Sequence, residues 1–173
     1  MAITLYDATV PNYLQVLAGV RGVLDKGLAH AKATGVDPES LVETRLCGDM
    51  HPLRFQVVSV VHHSKGALEG VERGTFSPPQ VAGEDYAALQ AMVAEAEAAV
   101  GRYTPEQVNK LEGRDLNFVL GERSLPFVAE DFLFSFSLPN FYFHATTAYD
   151  ILRWKGAPLG KRDFLGRMRM KAA

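Results

Sequence analysis

The sequence predicts an all-α fold, a four-helix bundle with a small β-hairpin between its third and fourth helices. Three observations carry that reading. Apolar residues recur at three- and four-residue steps over stretches long enough for several helical turns. Short connectors rich in Gly and Pro separate these stretches, and only the segment from Gly113 to Ala129 changes to an alternating pattern. At 173 residues, with 47% hydrophobic and 22% charged side chains, the chain reads as one domain spanning 1–173.

The first helix is expected from Leu5 to Lys32, with Tyr13, Leu17, Val20, Leu24 and Leu28 on one face. Pro11 either opens or kinks it, and Gly35 and Pro38 in "ATGVDPES" end it. After a short helical turn in "ESLVETRL", the stretch "CGDMHPL" reads as a helix start, with Asp49 or His51 as cap and Pro52 first in the helix. The second helix then runs unbroken from Pro52 to Arg73, its stripe formed by Phe55, Val58, Val61 or His62, Lys65, Leu68 and Val71. The third spans Glu84 to Arg102, with Tyr86, Leu89, Met92, Val93, Ala96 and Val100 inward and Glu84, Glu95 and Glu97 on the wet side.

Leu116, Phe118 and Leu120 alternate before Gly121, and Leu125, Phe127 and Ala129 alternate after it, so a hairpin turns near Gly121 and lies on the helices. The last helix, Glu130 to Lys155, is apolar nearly all round, as expected of a central helix or a subunit interface. Pro139 should bend it and free a carbonyl near Ser135, and Gly156 with Pro158 supplies the stop. Apolar helix faces that one small core does not cover predict a homodimer.

Bulk properties exclude several function classes. A net charge of −2 and a pI near 6.2 give no positive field for nucleic acid. The longest apolar runs, such as Phe55 to Val61, are far shorter than the roughly 20 residues of a membrane helix. The start "MAITLYDATVPNYL" lacks the features of a secretory signal, so the expected compartment is the cytoplasm. The single cysteine, Cys47, cannot form an intramolecular disulfide and has only Arg45 as a basic neighbour in sequence, so it reads as a bland thiol. The basic end "GKRDFLGRMRMKAA" reads as a solvated tail ordered by packing of Phe164 and Leu165, with an anionic-ligand or subunit contact as the alternative. No P-loop, dinucleotide fingerprint or nucleophile elbow is present.

The chemistry-bearing residues gather in the second and fourth helices. His144 stands among six aromatic rings in "LPNFYFHATTAYDILRWKGAPLGKRDFLG" and is either a ligand or base, or a hydrogen-bonded core histidine. Asp49, Gln56, Tyr142, Tyr149 and Arg153 are polar groups in apolar surroundings and need partners. With Asn140 and His144, they are candidates to line a small-molecule pocket between the two helices. Asp150 lies nearly opposite His144 on the helix and suits Arg153 or Arg54 as a partner. His62 and His63 lie about 100° apart on a helix, so at most one of them faces such a pocket.

"MHPLRFQV" and the long fourth-helix segment with its "GKRDFLG" tail resemble the shared blocks of an uncharacterised bacterial family within the DinB-like helix-bundle superfamily. The resemblance extends over nearly the whole chain. Better-known members of that superfamily look like metal-binding proteins or thiol S-transferases, with one histidine in the second helix and two a turn apart in the fourth. Carried onto this sequence, the positions fall on or near His62, with His63 adjacent, and on His144. The positions one turn from His144 are Ala148 and Asn140, so the set is incomplete. The resemblance implies an uncharacterised bundle protein with a small-ligand pocket. As an alternative it implies a metal-dependent thiol S-transferase or hydrolase, with Zn or Ni held by His62 and His144 and an oxygen of Asn140 or Asp150 as a further ligand.

Overall fold

The computed structural model describes residues 2–171 of the chain. Helix α1 (Leu5–Thr34) opens with a reciprocal cap between Thr4 and Asp7 and closes on Gly35, whose φ of 71° only glycine adopts freely. The short α2 (Pro38–Val42) is capped by Asp37. The expected second helix is two: α3 (Leu53–His62) and α4 (Lys65–Arg73) are separated at His63 and Ser64. The Ser64 hydroxyl bonds back to the Val60 carbonyl at 2.7 Å, one of the local bonds by which serine competes with a continuing helix. Pro52 precedes α3 as its cap instead of opening the helix, and no side chain, Asp49 and His51 included, provides a cap bond there.

Helix α5 (Tyr86–Val100) starts behind Asp85, whose carboxylate accepts the Ala88 N–H at 2.7 Å. The short α6 (Pro105–Asn109) leads into the strands. The hairpin strands β2 (Asp115–Leu120) and β3 (Arg123–Val128) pair antiparallel around Gly121, whose positive φ suits the first position of a two-residue turn. A two-residue strand, β1 (Thr75–Phe76), adds in parallel to β2, so the sheet has three strands in the order β1-β2-β3 and not two.

The last helical stretch also departs from a single helix. A short α7 (Ala129–Asp131) passes into a π-helical turn, Phe132–Ser137, and then into α8 (Leu138–Trp154). Pro139 is the second residue of α8. The wide π turn precedes it where a regular α-helix would place a carbonyl against the proline ring. The Asn140 side-chain amide donates to the Phe136 carbonyl, one turn back, at 2.7 Å.

Helices α1 and α3 each pack on both α5 and α8, enclosing a core that includes Leu17, Leu24, Leu53, Leu89, Phe132, Phe141 and Ile151. The C-terminal α9 (Lys161–Leu165) lies along α1. The contact is close enough that a Cβ on Gly19 would sit 2.5 Å from the Phe164 carbonyl oxygen. The chain is thus mostly helical with one small sheet, and no helix among the described residues is long and apolar enough to cross a membrane.

Candidate functional site

The break between α3 and α4 and the π turn before α8 meet in space. Ending α3 at His62 leaves the His63 carbonyl without a helical donor, and the Ser137 hydroxyl, at the end of the π turn, donates to it at 3.0 Å. Seven residues beyond Ser137, two helical turns on the same face, His144 points at α3. Its Nδ1 lies 2.8 Å from Gln56 Oε1. Gln56 is buried, and its amide Nε2 donates to the His51 carbonyl at 2.8 Å. The oxygen end of the amide therefore faces His144, and Nδ1 must carry the proton that it accepts. In a neutral imidazole so fixed, Nε2 keeps a free lone pair.

His63 is held in the same sense. Its Nδ1 is 3.5 Å from Ser137 Oγ, whose only proton is directed at the His63 carbonyl, so the hydroxyl oxygen is left to accept from Nδ1. The His63 and His144 rings face each other with centroids 6.0 Å apart and planes 14° from parallel. Phe55 meets the edge of His144, and its own ring is stacked at 3.9 Å on the exposed His51. Burial drives both imidazoles away from the charged form. His63 is pushed down to about 3, with His62 and His144 adding to the effect, and His144 to about 4, with His51 adding.

Two buried hydroxyls beside this pair lack partners. Ser59 lies between Gln56 and His63 on the same face of α3, one turn from each, and its Oγ makes no hydrogen bond. The fully buried Tyr13 hydroxyl, from α1, lies beside Ser137 but is likewise without a hydrogen bond of acceptable geometry. Burial raises its pKa, an effect that Ser137 only partly offsets. The seam thus contains two imidazoles with unassigned lone pairs and two unpaired hydroxyls.

Of the histidines that sequence singled out, His144 is in this seam and His62 is turned away from it. His62 stacks on Phe76 at 4.2 Å, and its Nε2 is 2.7 Å from the Ser77 carbonyl, on the wall of a cleft of about 370 Å³ shared with Lys65, Glu69 and Met92. Burial lowers its pKa, against the raising effect of that carbonyl. The second-helix partner of His144 is therefore His63. Its phase was available in the sequence: Gln56 and His63 are seven residues apart, two turns along one face.

The wider set of pocket candidates disperses. Asn140 is engaged with its own helix at Phe136, Tyr149 packs on Phe164, and Asp49 and Arg153 are exposed. Arg54 pairs with Glu43 and donates to the Glu84 carbonyl, so it is not the partner expected for Asp150. Of these candidates Gln56 alone, among the described residues, is bonded to His144. Sequence reasoning missed Ser59, Ser137 and Tyr13, because a lone hydroxyl in an apolar stretch carries no pattern until its neighbours are known.

A catalytic metal of the kind the superfamily suggests takes three protein ligands and keeps one position open. Here the seam holds two histidines, and Ala148 and Asn140 occupy the positions of a third. Among the described residues no group of three or more His, Cys, Asp or Glu side chains is placed to hold a metal ion. The donor set does not fit a resident metal.

Comparison with known proteins agrees with the fold. The crystal structure of a DinB family member protein from Shewanella denitrificans aligns with a TM-score of 0.78 at 26% identity, covering 98% of this chain and 96% of that one. No curated protein matches the sequence. The family model of DUF1993, a domain of unknown function, matches residues 5–165. With nearly its whole length matched by that family and its fold shared with a DinB protein, the chain belongs to DUF1993, within the DinB-like superfamily.

Proposed function

We propose that this chain is a binding protein built on a DinB-like four-helix bundle, and that it holds a small neutral hydrogen-bond donor against the His63–His144 pair. The observation that carries the reading is the 2.8 Å bond that commits His144 Nδ1 to Gln56, with His63 Nδ1 in a longer 3.5 Å contact with Ser137, an arrangement that leaves the Nε2 atoms as acceptors. An alcohol, amide or thiol satisfies such acceptors. The burial that keeps the imidazoles neutral also disfavours a charged ligand. The unpaired Ser59 and Tyr13 hydroxyls offer further contacts.

The test uses imidazole ¹⁵N spectra with a panel of small neutral alcohols, amides and thiols as probes, on the wild type and on His144→Phe. The expected result is a probe that shifts both His63 and His144 and binds the variant about tenfold more weakly, the equivalent of one good hydrogen bond. Probes that bind both proteins equally, or none that reaches these rings, contradict the reading.

A second reading, a metal-dependent thiol S-transferase or hydrolase, is favoured by the same two lone pairs, taken as two-thirds of a three-nitrogen set. It requires the ligand itself to complete the metal's coordination. Adding Zn²⁺ or Ni²⁺ to chelator-treated protein distinguishes the two. The binding-protein reading expects no metal-dependent rise in melting temperature, and a rise that His144→Ala abolishes selects the metal reading.

A further inference from the structure

At the far end of α8 from the imidazole pair, a cavity of about 160 Å³ lies between the last turns of α1, the short α2 and the chain that follows α8. Its interior walls are Ala31, Leu41, Leu152 and Ala157, all buried. Protein interiors rarely keep voids larger than a water molecule, and two of these four walls are alanines, where any larger aliphatic side chain would fill the space. A cavity of about 150 Å³ with comparable walls takes a single benzene ring.

The mouth is different in character. It is formed by Val36, His30 and Lys155. The His30 ring tucks against Gly156, where a Cβ would lie 3.0 Å from its Nε2 and where φ is 95°, so two separate constraints call for glycine there. Neither His30 nor Lys155 has a carboxylate within ion-pairing distance among the described residues, and the Lys155 ammonium instead lies 5.5 Å over the Trp154 ring. The acidic groups of α2 are already committed. Asp37 caps the Glu39 N–H at 3.1 Å, and both oxygens of Glu39 face the Tyr86 N–H. Carbonyls at the ends of α1 and α8 are also taken by backbone donors, Val36 N–H on Ala31 at 2.9 Å and Ala157 N–H on Leu152 at 3.1 Å. They do not compete for the lysine.

We infer that this cavity binds a small carboxylate with a compact apolar body, one ring or its aliphatic equivalent, whose ring enters between Ala31 and Leu152 and whose carboxylate meets Lys155 beside His30. The site shares no residue with the His63–His144 seam and stands or falls apart from it.

Benzoate and toluene, which has neither charge nor hydrogen-bond donor, serve as the probes, with calorimetric titration and melting temperature as readouts. Benzoate should bind the wild type saturably and more tightly than toluene, and His144→Phe should leave both affinities unchanged. Lys155→Met removes the ammonium at the mouth and should weaken benzoate about tenfold while sparing toluene. Val36→Trp, at the half-exposed mouth, should block both. No saturable benzoate binding to the wild type, or equal binding to Val36→Trp, overturns the site. Equal loss of both probes in Lys155→Met, or of neither, overturns the assignment of a carboxylate.

Discussion

Protonating His63 or His144 in the folded chain places a charge among apolar walls, so the folded state resists protonation until about pH 3 and pH 4 respectively. The unfolded chain takes up those protons near pH 6.5. The associated stability is therefore complete above pH 6.5 and is lost as pH falls toward the folded values, by up to about 1.4 kcal/mol per pH unit for each histidine. Urea unfolding between pH 7.5 and 4.5 should show this slope, and a double variant, His63→Leu with His144→Phe, should flatten it. Gln56 is the residue that orients His144. Gln56→Leu leaves the His51 carbonyl and the His144 N–H without partners and should lower stability by about 1–3 kcal/mol at neutral pH, read by denaturant melts. A change below a few tenths would mean that the amide does not fix the ring.

The elements that build the site are the ones that regular periodicity conceals. "VVHHSKGALEGV" continues a helical pattern through His63, and Ser64 is a weak local sign of the break, since serine is common inside helices. What stabilises the break is distant: Ser137, seventy-four residues on, receives the carbonyl that the break frees. The π turn is likewise a tertiary solution. Pro139 announces a disturbance in sequence, but the direction of relief depends on α3 being there to receive Ser137 and His144. The helix limits of α1 and α5 were legible because caps and stripes are local. The family resemblance carries the second-helix position onto or near His62, whereas the buried residues of α3, Leu53, Gln56, Val57, Val58, Ser59 and Val60, include the Gln56–Ser59 line that His63 continues. At the other end of the chain, α9 is tied to α1 by close approach. Gly19→Ala should push the Phe164 carbonyl away, cost about 1–3 kcal/mol, and expose the segment after Pro158 to limited proteolysis. An unchanged digestion pattern would show that α9 is held by other contacts.

For the molecule as a whole, the three-imidazole arrangement of better-known DinB-like proteins is one substitution away. Ala148 lies one turn beyond His144 and is buried on the same face. Ala148→His should bind zinc more tightly than the wild type, as read by native mass spectrometry on a variant whose fold is verified by circular dichroism. Stoichiometric zinc in the unaltered protein would instead favour the metal reading. The proposed homodimer draws support from Phe143 and Trp154, eleven residues or about three turns apart on α8 and both more than half exposed. Sedimentation at micromolar concentration should show a two-chain species that Phe143→Glu dissolves, and a monomer throughout would refute it.

The proposed site depends on His63 and His144 being neutral bases with Nδ1 donating and Nε2 free. Long-range ¹H–¹⁵N correlation of the histidine side chains, followed from pH 7.5 to 4.5, tests it most directly. The structure predicts the Nδ1–H tautomer for both rings, His63 unchanged across the range and His144 only starting to titrate at its lower end. Titration of either ring near pH 6.5, or the opposite tautomer, would contradict it and remove the acceptors on which the proposed ligand depends.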